Sequence, residues 1–105
     1  MATSKIQKPY YTDTYTDNTT GIVFYKTNGM VEICLETSSL PTTYSSGDKI
    51  CDISDAYLPA KQFSFREVLN NKRIIVARGE GGNGLYANEA ISGNIRGHAI
   101  YTAWK

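Results

Sequence analysis

The chain has 105 residues, a length that suits one domain with one modest hydrophobic core. Apolar residues make up 41% of it and charged residues 20%, which is typical of globular rather than disordered proteins. Eleven basic and ten acidic residues leave a formal net charge of +1, so we expect neither nucleic acid nor an anionic membrane surface as the main partner. No apolar run approaches the roughly 20 residues that span a bilayer, so membrane insertion is not expected.

Residues 1–20 are polar and rich in Thr, Asp and Tyr, and they show no helical or heptad pattern. We interpret them as an N-terminal extended arm, with a short extended piece at residues 10–15, ahead of a single head domain at residues 21–105. The first ten residues carry Lys5 and Lys8 but lack the apolar segment of a secretory signal peptide.

The clearest local signal is a hairpin centred on Asn28-Gly29. Asn-Gly is the preferred pair for a two-residue type I′ turn, because both residues tolerate positive φ. Such a turn sets the strand register and places Phe24 opposite Ile33. The face assigned to the core carries Ile22, Phe24, Val31, Ile33 and Leu35. The opposite, mixed face carries Val23, Tyr25, Glu32 and Cys34.

The rest of the chain alternates between short strands and turn signals. Strands are predicted at residues 49–53, 73–78, 85–90 and 95–104, and residues 62–69 form either a strand or one helical turn. Turns or breaks are predicted at residues 40–42, 45–48, 58–59, 70–71 and 92–94, and in a glycine-rich loop at residues 79–84. Short strands at this spacing predict an all-β single domain, either an antiparallel β-sandwich or a jelly-roll-like barrel.

The cysteines and histidine give no metal-binding pattern. Cys34 and Cys51 lack zinc-site spacing, and His98 is the only His. We expect both thiols to be free and mostly buried, because two Cys make a thin disulfide framework. The carboxylates Asp48, Asp52 and Asp55 lack the order of EF-hand ligands and are typical of turns and strand ends.

No catalytic motif is evident either. A serine or cysteine hydrolase needs a base, and His98 lies in an alternating strand, where a structural or interface role is usual. Glycosidases need two carboxylates across a cleft, and the sequence does not reveal such spacing. The candidates are Asp55, Glu67, Glu80 and Glu89. The glycine-rich loop lacks the Gly-Lys-Ser/Thr of a P-loop. We therefore predict a protein that is not an enzyme and has no cofactor or metal.

Three segments resemble one family. Residues 22–36, with Tyr25-Lys26, the Asn28-Gly29 turn, Glu32 and Cys34, resemble a hairpin near the C-terminus of tail-fibre and minor structural proteins of phages and prophages of Gram-positive bacteria. Leu58-Pro59 ahead of Phe63 and Phe65 resembles the break before a strand there. Residues 98–105 resemble the family's closing strand. The hairpin lacks the usual Trp residues, and Thr102-Ala103 stands where Gly-Arg is typical.

The resemblance implies a homotrimeric head domain that binds a saccharide on the bacterial cell surface. It further implies a place in the virion tail, assembled in the bacterial cytoplasm, with other tail or baseplate proteins as partners. Two alternatives stay open: a module that trimerises or caps a fibre without its own receptor, and a small polysaccharide hydrolase.

The expected sugar site combines an aromatic platform with a few polar groups. Eight Tyr residues are available as platforms. Position along the chain favours residues near the glycine-rich loop, where exposed loops carry specificity. The predicted receptor-binding residues are Asn83, Tyr86, Asn88, Arg73 and Arg78.

Overall fold

The computed structural model describes residues 13–36 and 43–105 of the chain. The predicted break at residues 40–42 and the first twelve residues of the predicted arm lie outside these ranges. The described strands are β1 (Asp13–Thr16), β2 (Val23–Thr27), β3 (Met30–Glu36), β4 (Thr43–Tyr44), β5 (Lys49–Cys51), β6 (Phe63–Arg66), β7 (Arg73–Ala77), β8 (Gly84–Ala87), β9 (Ile91–Ser92) and β10 (Arg96–Thr102). One turn of 3-10 helix, Asp55–Tyr57, follows β5.

The strands form two four-stranded antiparallel sheets. The first sheet has the order β1-β2-β3-β10 and the second the order β5-β8-β7-β6, while β4 pairs with β9. Their apolar inner faces share one core in a sandwich-like arrangement. The predicted all-β antiparallel class is therefore confirmed. No helix in the described ranges has the length and apolar character needed to cross a membrane.

The predicted hairpin is confirmed in turn, register and faces. Asn28 and Gly29 have φ angles of 51° and 79°, both positive as a type I′ turn requires. Phe24 pairs with Ile33. All five side chains assigned to the core are fully buried: Ile22, Phe24, Val31, Ile33 and Leu35.

The strand β1 extends the first sheet into the segment predicted as an arm. Asp13–Thr16 pairs with β2 along its whole length. The chain then turns at Asp17, whose carboxylate accepts hydrogen bonds from the backbone N–H and the hydroxyl of Thr20. Residues 13–20 therefore belong to the folded domain in the structure.

Hydrogen bonds and contacts between aromatic rings connect the two sheets. The phenol of Tyr15 donates to the Asp52 carbonyl at 3.1 Å. The buried phenol of Tyr101 donates to the Tyr57 carbonyl at 2.6 Å, and burial raises its pKa. The Tyr101 ring also packs against Phe63 of the second sheet, with 5.3 Å between ring centroids. The relative position of the sheets is thus fixed by specific contacts as well as by apolar packing.

The segment 62–69 is a strand followed by a tight turn. After β6, the Glu67 side chain folds under the turn with 1% of its surface exposed. Its carboxylate accepts hydrogen bonds from the backbone N–H groups of Leu69, Asn70 and Lys72, at 3.1, 2.9 and 3.0 Å. These three bonds satisfy a buried charge and hold the connection between β6 and β7.

The two cysteines occupy different environments. Neither is in a disulfide bond. Cys51 is buried in the core, and desolvation raises the pKa of its thiol to about 12. Cys34 is half-buried on the outer face of β3 and pairs with His98 of β10.

Candidate functional site

The outer face of the second sheet carries a row of four directly paired residues. Lys49 pairs with Tyr86, Tyr86 with Ile75, and Ile75 with Ser64. Residues directly opposite in an antiparallel sheet project to the same face. The alternation of β7 confirms this, because the residues on either side of Ile75, which are Ile74 and Val76, are fully buried in the core.

A second row runs beside the first at one end of the sheet. The backbone N–H of Asn88 donates to the carbonyl of Arg73 at 3.0 Å, which continues the ladder just beyond β8. Arg73 in turn pairs with Arg66 of β6. One face of the sheet therefore offers an aromatic ring, an amide and two guanidinium groups.

Two adjoining hollows, of about 280 and 300 Å³, lie over these rows. Both are lined by Gln62, Ile75 and Asn88. The first is also lined by Ser46, Gly47, Ala77, Gly81, Tyr86 and Ala87. The second is also lined by Phe63, Ser64 and Arg73. We call the two together the outer groove; each hollow lies near the lower end of the size range of small-molecule sites, about 300–1,000 Å³.

A tight turn before β5 forms one wall of the outer groove. The Asp48 carboxylate accepts from the Ser45 N–H at 2.7 Å, and the Asp48 N–H donates to the Ser45 carbonyl at 3.0 Å. The Ser46 hydroxyl then donates to the carbonyl of Asn88 at 2.9 Å. These bonds tie the wall to the end of β8, so the position of Asn88 is set by neighbouring backbone.

The glycine-rich loop packs on the end of the Tyr86 ring. Gly82 has a φ of 128°, and a Cβ atom placed on it would lie 2.1 Å from the phenol oxygen of Tyr86. The loop is closed by the Asn83 side chain, whose oxygen accepts from the Gly79 N–H at 2.9 Å. Asn83 therefore shapes the loop that fixes Tyr86, and it does not line the outer groove.

Arg78 makes structural contacts elsewhere. Its guanidinium donates to the carbonyls of Pro59 and Ala60, each at 2.8 Å. It also lies over the Trp104 ring, 4.7 Å from the centroid. These contacts hold the connection before β6 against the end of the chain.

Of the five predicted site residues, the structure thus brings three together in the outer groove: Tyr86, Asn88 and Arg73. It places Asn83 and Arg78 outside. The sequence alone does not indicate Gln62 and Ser64, which reach the outer groove from β6 and the segment before it. Their only signal is the alternation of Ser64 with Phe63 and Phe65, which has no meaning for the site until the strand order is known.

The outer groove is free of acidic lining residues in the part of the chain that the structure describes. At its Tyr86 end, the Lys49 ammonium lies 5.8 Å from the ring centroid and is salt-bridged to Asp52 at 2.7 Å. The hydrogen bond that Lys49 donates to the Asp52 carboxylate raises the pKa of Lys49. Within residues 13–36 and 43–105, no cluster of three or more His, Cys, Asp or Glu side chains could hold a metal ion.

A second surface is the outer face of the first sheet. Ile100 is 60% exposed and Met30 42% exposed, and the half-buried Val23 and Tyr25 lie on the neighbouring strand. A hollow of about 320 Å³ at one side of this face is lined by residues that include Glu32, Cys34 and His98.

No family model matches the chain, and neither the curated proteins nor the solved structures contain a match.

Proposed function

We propose that the protein is a non-enzymatic receptor-binding domain that holds a bacterial cell-surface saccharide in the outer groove. The observation that carries the proposal is the half-buried ring of Tyr86 beside Asn88, Gln62 and Arg73. A sugar ring has an apolar face, which suits an aromatic platform, and hydroxyl groups, which need donors and acceptors at its edge.

The outer groove offers both the apolar and the polar surface that a saccharide needs. Tyr86 and Ile75 supply adjacent aromatic and aliphatic surface on paired strands. Gln62 and Asn88 supply amide donors and acceptors, and Ser64 supplies a hydroxyl. Because these residues lie on or beside a hydrogen-bonded sheet, little conformational freedom is lost when a ligand binds.

Binding is favoured over hydrolysis by the lining of the outer groove. Glycosidases use two carboxylates on either side of the bond to be cleaved. No Asp or Glu of the described residues lines either hollow. The proposed activity is therefore recognition of the saccharide without cleavage.

The resemblance of the hairpin and the closing strand to phage tail proteins supports a place for this domain at the tip of a tail. In that setting it would bind the host envelope and contact other tail or baseplate proteins. The same resemblance supports a homotrimer. A trimer would cover exposed apolar side chains such as Ile100 on the outer face of the first sheet.

A second function, as a trimerisation or capping module, is favoured by that same outer face. Ile100 and Met30 are large, apolar and exposed. A stable interface would bury roughly 800 Å² on each protomer. With this second function the domain trimerises or caps a fibre, and another protein or domain binds the receptor.

Glycan-array binding of the isolated protein tests the first function, with the mass in solution measured by light scattering. We expect retention on bacterial surface glycans that Tyr86→Ala abolishes. Tyr25→Ala, on the outer face of the first sheet, should leave binding intact. A trimer that binds no glycan would support the assembly module instead, and release of reducing sugar would indicate a hydrolase.

A further inference from the structure

The Arg73 side chain faces the outer groove. Within the described part of the chain, its guanidinium makes one hydrogen bond, from Nη1 to the hydroxyl of Ser64 at 3.2 Å. Among the described residues, no carboxylate lies within ion-pair distance of it. A guanidinium has five N–H donors, so most of its capacity remains for a ligand.

The surroundings of Arg73 leave an excess of positive charge. The cations Arg66 and Lys72 share the single carboxylate of Glu89, at 3.7 and 3.9 Å. A Glu89 oxygen also accepts from the backbone N–H of Arg73 at 3.3 Å. Arg66, Lys72 and Arg73 therefore bring three cations to this end of the outer groove, where Glu89 supplies the carboxylate of the described ion pairs and the Glu67 carboxylate is buried under the adjacent turn.

We propose that the outer groove selects an acidic saccharide, and that Arg73 binds its carboxylate or phosphate group while the sugar ring stacks on Tyr86. This inference rests on the proposed function. A guanidinium pairs with two oxygens of a carboxylate or phosphate through two parallel hydrogen bonds, which a neutral hydroxyl cannot match. Selectivity for the acid follows from that difference.

The spacing on the sheet fits one ring with its charged substituent. Tyr86 is directly opposite Ile75, and Arg73 lies two residues from Ile75 on the same strand. Such diagonal neighbours are about 7–8 Å apart between Cα atoms. Asn88 lies beside both, so its amide can contact hydroxyl groups between the stacked ring and the acid.

The test is calorimetric titration of the full chain with matched probes. An oligosaccharide of glucuronate and N-acetylglucosamine is compared with its carboxyl-reduced form, and glucose 6-phosphate with glucose. We expect each acid to bind at least about tenfold more tightly than its neutral counterpart, a preference that weakens as salt is added. The acidic probe that binds more tightly shows whether Arg73 prefers a carboxylate or a phosphate.

Arginine variants test whether Arg73 is the source of the preference for acidic over neutral probes. Arg73→Gln should remove the difference between acid and neutral probes, and Arg73→Lys should keep part of it, since a point charge remains. Arg96→Gln, an exposed change on the first sheet, should keep it fully. Circular dichroism establishes that each variant is folded.

Two results would overturn the inference. Equal binding of acid and neutral probes by the unmodified protein would end the acid preference while leaving saccharide binding intact. Failure of all four probes together with a negative glycan array would remove the proposed function itself.

Discussion

The phenol oxygen of Tyr86 occupies the space beside Gly82, 2.1 Å from where a Cβ atom on that glycine would lie. Through this contact the glycine-rich loop, whose sequence indicates only flexibility, packs against the Tyr86 ring at the centre of the outer groove. A side chain at residue 82 must therefore displace either the loop or the ring.

Gly82→Ala is expected to weaken glycan binding strongly and to lower the free energy of unfolding by about 1–3 kcal/mol, because a positive φ is also strained by a side chain. Gly79→Ala is the matched control, since Gly79 also has a positive φ, of 137°, but a Cβ atom there would meet nothing within 4 Å and Gly79 does not line the outer groove. Denaturant unfolding and a glycan titration measure both effects. If the two variants behave alike, the Gly82–Tyr86 contact does not position the ring.

Glu67 is expected to be important for stability. Glu67→Gln removes the charge that accepts three backbone N–H groups and turns an amide toward one or more of those donors. We expect a loss of about 2–3 kcal/mol in the free energy of unfolding. Glu80→Gln, in the exposed loop, should change it by less than about 0.5 kcal/mol. Similar unfolding midpoints for the two variants would contradict this role.

Stability should fall in alkaline solution. In the unfolded chain Cys51 ionises near its ordinary pKa of 9.0, whereas in the fold desolvation raises its pKa to about 12. The folded state therefore keeps a proton that the unfolded state loses, and the free energy of unfolding falls as pH rises from 9.0 towards about 12. The slope for one group is at most about 1.4 kcal/mol per pH unit.

Urea unfolding at about pH 8 and about pH 10 measures this slope. The variant Cys51→Ala should flatten it, while tyrosines with raised pKa, such as Tyr101, still contribute at higher pH. An unaltered slope in Cys51→Ala would show that Cys51 is not the group responsible.

Arg78 should affect stability rather than binding. Arg78→Ala removes two hydrogen bonds to backbone carbonyls and the contact with Trp104. We expect a loss of about 1–3 kcal/mol in the free energy of unfolding with glycan affinity retained. Arg73→Gln should lower the affinity for acidic glycans and leave the free energy of unfolding nearly unchanged. A large loss of affinity in a folded Arg78→Ala protein would return Arg78 to the binding site.

The fold could be predicted where the signal was local. The hairpin depends on Asn28-Gly29 and on alternation within a few residues, so turn, register and buried face all follow from the sequence. Residues 62–69 were ambiguous because Phe63 and Phe65 alternate as in a strand, whereas Val68 and Leu69 are adjacent. The structure places the last two, exposed, in a turn that the buried Glu67 holds.

The site could be predicted only in part, for a related reason. Tyr86 and Asn88 lie on one chain segment with the alternation of a strand, so their shared face is a local property. Arg73 and Arg78 are five residues apart in a strand and its extension, so they cannot share that face. Gln62 and Ser64 join the outer groove because β6 pairs with β7, and β5 joins through β8, relationships set by packing across the whole domain.

The most direct test of saccharide binding in the outer groove is a two-dimensional NMR titration of the labelled protein with envelope polysaccharide fragments from a Gram-positive bacterium. We expect the largest shifts on the backbone amides of Ser64, Ile75, Tyr86 and Asn88, with Tyr25 and Ile100 of the first sheet unchanged. Shifts confined to the first sheet, or no shifts at saturating polysaccharide, would contradict it.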